Sequence, residues 1–261
     1  GMDPRRAPAR DRDREGERRL TERRLGAPRT FDMRPCRGAT LHDLVPGDFK
    51  DAYLPRAVAP EVIAENQRSL EEQLASLRFF DLASRAPTHA GVILFGRDPL
   101  DFLPGAYVQF VRFDGEGLAD PVLDQKALAG RLSLQLRLLD ELLPIQIRVA
   151  RKAAAGLRHE EQPDYPLVAV REIILNALMH RSYEGTNAPV RINWFQDRVE
   201  VQNPGGLHGQ VTPENFERTS DYRNPALAEA LKTLGYVERF GAGLARCDGK
   251  RSVRAKALGG R

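Results

Sequence analysis

This sequence predicts an α+β fold, on three observations. From residue 163 to residue 246 the pattern runs helix, hairpin, glycine turn, helix, glycine turn. Leu167 to His180 carries apolar residues on most sides of a helical period. Val190 to Trp194 and Val199 to Gln202 are β-rich runs on either side of a Gln196-Asp197 turn. A length of 261 residues allows one or two domains with a sizeable core. At 41% hydrophobic and 29% charged residues, the chain is of ordinary globular composition. No apolar run approaches the roughly 18 residues that a membrane-spanning helix needs. The Arg-rich N-terminus has no apolar stretch behind it, which excludes a secretory signal and makes a cytoplasmic setting the expectation.

The elements follow in chain order. Residues 1–28 alternate charges with almost no apolar content, so they cannot offset their chain entropy and read as a disordered basic arm. From Thr30 the composition is globular. Thr40 to Leu44 reads as a capped helix start, and Pro60 to Phe80 as one helix with Leu70, Leu74 and Leu77 on a face. Gly91 to Gly96 is a short buried element of either type. Ala106 to Phe113 reads as a strand closed by Asp114-Gly115. Leu123 to Leu143 reads as a helix stopped by Pro144, with a strand from Ile145 to Val149. Pro166 starts the helix to His180. Asn203-Pro204-Gly205-Gly206 breaks the second hairpin strand. Pro213 to Arg218 and Pro225 to Leu234 are short helices, the latter ended by Gly235, and Gly241-Ala242-Gly243 opens a further one.

Charge is divided unevenly. Residues 1–29 hold ten Arg against six Asp or Glu, and residues 247–261 hold five Lys or Arg against one Asp. The body between them has 25 basic and 29 acidic side chains. The basic balance therefore belongs to the two ends, and any DNA binding expected from it is weak, carried by the tails and blind to sequence. The two cysteines, Cys36 and Cys247, exclude a disulfide framework, and the five histidines have no metal-ligand spacing.

On the helix Leu167–His180, Glu172, Asn176 and His180 form one stripe, each about 40° from the last. A buried unpaired carboxylate is costly. The stripe therefore either lines a cleft or meets partner side chains. The two glycine turns are where backbone N–H groups can approach an anion. Neither is a Walker A loop, since no Gly-Lys-Ser/Thr follows.

The runs REIILNALMHRSY, RVEVQNPGGL, RNPALAEAL and LGYVERFGAGL resemble the ATP-binding domain of bacterial RecG-like proteins and transcriptional regulators, over roughly residues 88–244. That domain is similar to the GHKL ATPases, such as gyrase and the histidine kinases. The resemblance implies an α/β sandwich with a mixed sheet and helices on one face. It divides the chain into an arm (1–28), a remnant of a Schlafen/AlbA-like DNA-binding module (29–87), an ATP-binding domain (88–246) and a basic disordered tail (247–261). It implies ATP and Mg²⁺ as cofactors. Glu172 matches the general base, Asn176 the magnesium ligand, and Asn203 the acceptor from the adenine amino group. Gly205 and Gly206 pass the base, Gly241 and Gly243 cradle the phosphates, and Arg223, Asn224 and Arg239 flank a lid. With His180 from the stripe, Asn176, Asn203, Gly205, Gly206, Arg223, Gly241 and Gly243 make the expected cofactor-binding set.

Three departures from the pattern carry expectations of their own. Asn203 stands in place of an aspartate, His180-Arg181-Ser182-Tyr183 replaces the usual His-Arg-Asp-Tyr, and the family pattern stops after Leu244. A sheet truncated there leaves an open edge, with Leu139, Leu142, Val190, Ile192 and Trp194 partly uncovered, and favours a homo-oligomer. The absence of Walker motifs argues against a helicase. The alternative function is a non-enzymatic DNA-binding or scaffold protein with a vestigial nucleotide site.

Overall fold

The computed structural model describes residues 29–65, 67–153, 159–206, 222–237 and 252–258. The expected basic arm (1–28), the helix Pro213–Arg218, Arg239, Gly241 and Gly243 lie outside the described residues. At Thr40 the expected cap is present but starts only a single 3-10 turn, Leu41–Asp43. The Thr40 N–H and hydroxyl both donate to Asp43 Oδ2, at 2.7 and 2.9 Å. A wide helical turn, Asp48–Tyr53, runs into α1 (Leu54–Ala57). The single helix expected over Pro60–Phe80 is two, α2 (Pro60–Glu65) and α3 (Leu70–Ser76). Ser69 breaks it. Its side chain accepts from Glu72 N while the Glu72 carboxylate accepts from Ser69 N, a reciprocal cap that starts a new helix.

β1 (Phe80–Asp81) and β2 (Ala86–Pro87) form a small antiparallel pair, followed by α4 (His89–Phe95), the short element left open by the sequence. A Cβ at Gly91 would lie 2.2 Å from the Phe79 carbonyl oxygen, so only glycine lets α4 sit against that backbone. Phe49, Tyr53, Phe79 and Phe95 pack as a cluster with mostly edge-to-face contacts. This cluster is continuous with the core of the following sheet, and Phe31–Arg261 forms one compact unit. The contiguous core spans residue 87, the expected domain boundary.

β3 (Val108–Phe113) pairs antiparallel with β4 (Val122–Leu128), and α5 (Leu132–Gln146) returns across them. A separate hairpin, β5 (Val149–Ala153) with β6 (His159–Pro163), leads to α6 (Leu167–His180). β7 (Val190–Trp194) and β8 (Arg198–Pro204) follow, then α7 (Pro225–Thr233) and β9 (Ser252–Leu258). The sheet is mixed, in the order β4-β3-β7-β8-β9, with β3/β7 and β8/β9 parallel and the other pairs antiparallel. Val108, Phe110, Val190, Ile192, Val199 and Val201 are all fully buried at alternate positions. They share one core with Leu136 and Leu139 of α5 and Val170, Ile174 and Ala177 of α6. The architecture is thus α+β, an open mixed sheet with helices packed on it.

The structure corrects three expectations. Leu123–Leu143 is a strand and a helix, because Gly130 at φ +92° turns the chain between them. The helix runs through Pro144 to Gln146, and the next strand begins only at Val149. Pro144 stands in the last turn, so the hydrogen bond it cannot donate to Asp140 is one of the last the helix would make. Finally, the tail expected to be strandless contains β9, which pairs along the whole of β8 from Arg198↔Ser252 to Pro204↔Leu258. Its register sets Val253 and Ala255 beside Val199 and Val201, and Val253 packs on the core. Leu139, Leu142, Val190, Ile192 and Trp194, expected to be partly uncovered, are all buried, the most exposed at 5%.

Candidate functional site

Helix α6 begins as the sequence indicates, with Pro166 preceding the first turn, and its apolar residues face the sheet. It is not buried all round: Val168 is 72% exposed. The polar stripe lies toward its open side, with Asn176 exposed and Glu172 and His180 half-buried. Arg171 pairs with Asp140 of α5 at 2.7 Å, so it does not compete for Glu172 along the stripe. With a rise of about 1.5 Å per residue, Glu172 and Asn176 sit about 12 and 6 Å before His180 along the axis.

Three chain segments converge on the C-terminal end of α6. The first is the end of β8, where Ser182 N donates to the Pro204 carbonyl at 2.7 Å. Gly205 follows at φ +98°, and a Cβ there would meet Ser182 Cβ at 3.1 Å and Arg223 Cζ at 3.3 Å. This glycine is required by the turn and by the close approach of its neighbours. Around Gly206 a Cβ would find open space. The second segment is Tyr222–Asn224. Arg223 donates from Nε to the His180 carbonyl at 3.2 Å and from a terminal nitrogen to the Gly206 carbonyl at 2.8 Å, tying helix end to glycine turn. The Tyr222 ring stacks on His180 at 5.3 Å, and Lys232 Nζ lies 4.7 Å from the Tyr222 ring centre. Buried Asn224 donates to the Met179 and Arg181 carbonyls at 2.8 and 2.9 Å.

The third segment is one the sequence did not single out. Asp32, fully buried, accepts at Oδ2 from Ala226 N at 2.7 Å and Leu227 N at 3.3 Å. It caps α7 from 194 residues away, and a carboxylate at a helix N-terminus also meets the positive end of the helix dipole. No local pattern betrays such a contact. Arg181 is the second omission. It is 1% exposed and donates to the carbonyls of Gly105 at 2.6 Å, Ala188 at 2.9 Å and Ser182 at 3.3 Å, with the Tyr183 ring 4.4 Å away. Burial lowers its proton affinity, partly offset by Tyr183 and Tyr107. Here the peptide dipoles of three carbonyls solvate the cation.

Of the expected site residues, the structure gathers His180, Gly205, Gly206 and Arg223, and sets Asn203 in the same turn, half-buried at the end of β8. Glu172 and Asn176 lie along the helix leading to that point. The arrangement offers an aromatic and cationic rim, an open glycine backbone and a stripe ending in a carboxylate. Among the described residues no group of three or more His, Cys, Asp or Glu could hold a metal alone.

Residues 187–252 match the family model described as "Putative ATP-dependent DNA helicase recG C-terminal". The match takes in β7, β8, the glycine turn and α7. The chain is also similar to the crystal structure of the DIP2311 protein from Corynebacterium diphtheriae, with a TM-score of 0.60 and 26% identity. That similarity covers 85% of this chain and 43% of the other, so the chain spans less than half the length of that protein. No curated protein matches the chain. No helix among the described residues is long and apolar enough to cross a membrane. The comparisons thus show a similarity to a RecG C-terminal-like ATPase family over residues 187–252, the part of the chain that carries the glycine turn.

Proposed function

We propose that this chain binds ATP with Mg²⁺ in a GHKL-type site along α6 and serves a DNA-associated regulatory protein. The observation that carries the reading is the meeting of the end of the Glu172/Asn176/His180 stripe with the Gly205-Gly206 turn through Arg223, the turn lying within residues 187–252, where a RecG C-terminal-like ATPase model matches, and the stripe just before them. Asn176, an exposed amide, supplies one oxygen ligand; magnesium prefers such ligands and otherwise keeps water and phosphate oxygens. When bound, the metal screens phosphate charge and polarises the terminal phosphoryl group. Glu172, half-buried, takes a proton from the attacking water as general base. Asn203 accepts from the adenine amino group through an uncharged oxygen, which weakens that contact relative to an aspartate. Tyr222, stacked on His180, gives the rim an apolar face for the base.

The test is calorimetry with ATP, with and without Mg²⁺. Binding that requires Mg²⁺ and is lost in Asn176→Ala supports the site. A Glu172→Ala chain should bind but not turn ATP over. One observation favours the scaffold reading instead: Arg223 and Gly205 are already engaged with the chain's own atoms. No binding at any Mg²⁺ concentration would select that reading.

A further inference from the structure

Strand β4 is an edge of the central sheet. It pairs with β3 on one side and, among the described residues, with no strand on the other. Its exposure is high on both faces from Val122 to Ala127, and Val122 and Leu123 remain 52% and 54% exposed. Protein sheets commonly blunt such an edge with proline, a bulge or charged side chains, and here a like charge in the wrong register would be what protects it. β4 has no proline, and its one irregularity lies opposite Arg112/Phe113, at its beginning.

The sequence of the strand, Val122-Leu-Asp-Gln-Lys-Ala-Leu128, is self-complementary about Gln125. Laid antiparallel against a second copy, Asp124 faces Lys126 of the second copy, and the reverse pair repeats it. Gln125 faces itself, and the bulge at Leu123 confines the regular pairing to the residues around Gln125. Directly opposed residues of an antiparallel pair share a face of the sheet. A two-fold that keeps the helices of both copies on one face must therefore centre on a residue. Centring on Asp124 or on Lys126 sets like charges against each other, which is destabilising. The charge pattern thus selects the register at Gln125 and rejects its neighbours. Lys126 and Asp124 already meet at 2.5 Å within the chain, with side chains 46% and 31% exposed, so both are on one face and open to exchange partners.

We propose that β4 pairs with β4 of a second copy, centred on Gln125, to continue the sheet across a two-fold homodimer. The test is sedimentation of the full chain over a concentration series. The unmodified chain dimerises. Lys126→Asp and Asp124→Lys each break the Asp124–Lys126 pair within the chain as well as across the two-fold, and each weakens the dimer about tenfold or more. Lys126→Gln, which leaves no like charges together, weakens it less. Mixing the two variants restores a dimer, as does the double variant Asp124→Lys/Lys126→Asp. Gln125→Cys, in a Cys247→Ser background, cross-links under mild oxidation, since opposed Cα atoms fall within disulfide range. A chain that stays monomeric throughout, a dimer indifferent to either reversal, or reversals that the swap does not rescue would each overturn the proposal.

Discussion

Arg181 and Asp32 hold the framework on which the candidate site rests. Each is a buried charge satisfied by backbone: carbonyls around Arg181, amide N–H groups on Asp32. Replacing Arg181 by Met leaves the Gly105 and Ala188 carbonyls unpaired, and urea unfolding should show a loss of about 2–4 kcal/mol. Arg181→Lys should recover little, because one ammonium cannot reach carbonyls set for a forked group. Asp32→Ala should cost about 1–2 kcal/mol, the usual worth of an N-cap. Cys36 is buried, and burial together with the Asp43 charge pushes its thiol up to about 11. In a Cys247→Ser background, the native chain at neutral pH should react with a thiol reagent only at the rate at which it unfolds.

Helix α4 carries the pH dependence of the N-terminal layer. His89 stacks on Phe31 at 4.0 Å, its Nδ1 lies 2.9 Å from the Arg34 carbonyl, and burial lowers its proton affinity below the ordinary 6.5. The fold therefore favours the neutral ring. Its contribution is complete above 6.5 and is lost as pH falls from there, because the unfolded chain takes up the proton first. Melting temperature should drop between about pH 7 and about pH 5, a window above the carboxylate range, and the drop should be shallower in His89→Gln. Helix α6 and strand β7 were legible to the residue, because each has one strong period and a clear boundary in Pro166 or the Gln196-Asp197 turn. Strand β4 was not: Val-Leu-Asp-Gln-Lys-Ala-Leu fits a helical period as well as a strand, and only Gly130 separates it from the true helix. β9 was hidden by its alanines, which alternate with Arg254 and Lys256 but carry little hydrophobic signal. The stripe on α6 was visible because its spacing is local. The contacts of Asp32, Arg181 and Asn224 were not, because each reaches chain segments brought together only by the fold.

For the molecule as a whole, β9 changes how the charged ends can be tested. Removing residues 247–261 would remove the strand that covers β8, so a chain ending at Arg246 should melt earlier and associate non-specifically in light scattering. The DNA reading is better tested by deleting residues 1–28 and neutralising Lys250, Arg251 and Arg261 while keeping β9. Affinity for duplex DNA should then fall to near background, after falling steeply with salt in the unmodified chain. Salt-insensitive, sequence-selective binding by the neutralised chain would place DNA recognition on the folded body instead.

The cap that Asp32 places on α7 also sets a clock on biosynthesis. Ala226 leaves the ribosome 194 residues after Asp32. At bacterial or eukaryotic translation speeds that interval is roughly 10–40 s. Throughout it the carboxylate has no helix N-terminus to accept from, and the aromatic cluster of Phe49, Tyr53, Phe79 and Phe95 must wait for the sheet that completes its core. Closure thus joins two residues that lie 194 positions apart. A ribosome stalled short of Ala226 would hold an exposed aromatic surface that a chaperone can bind, and the released, folded chain would not.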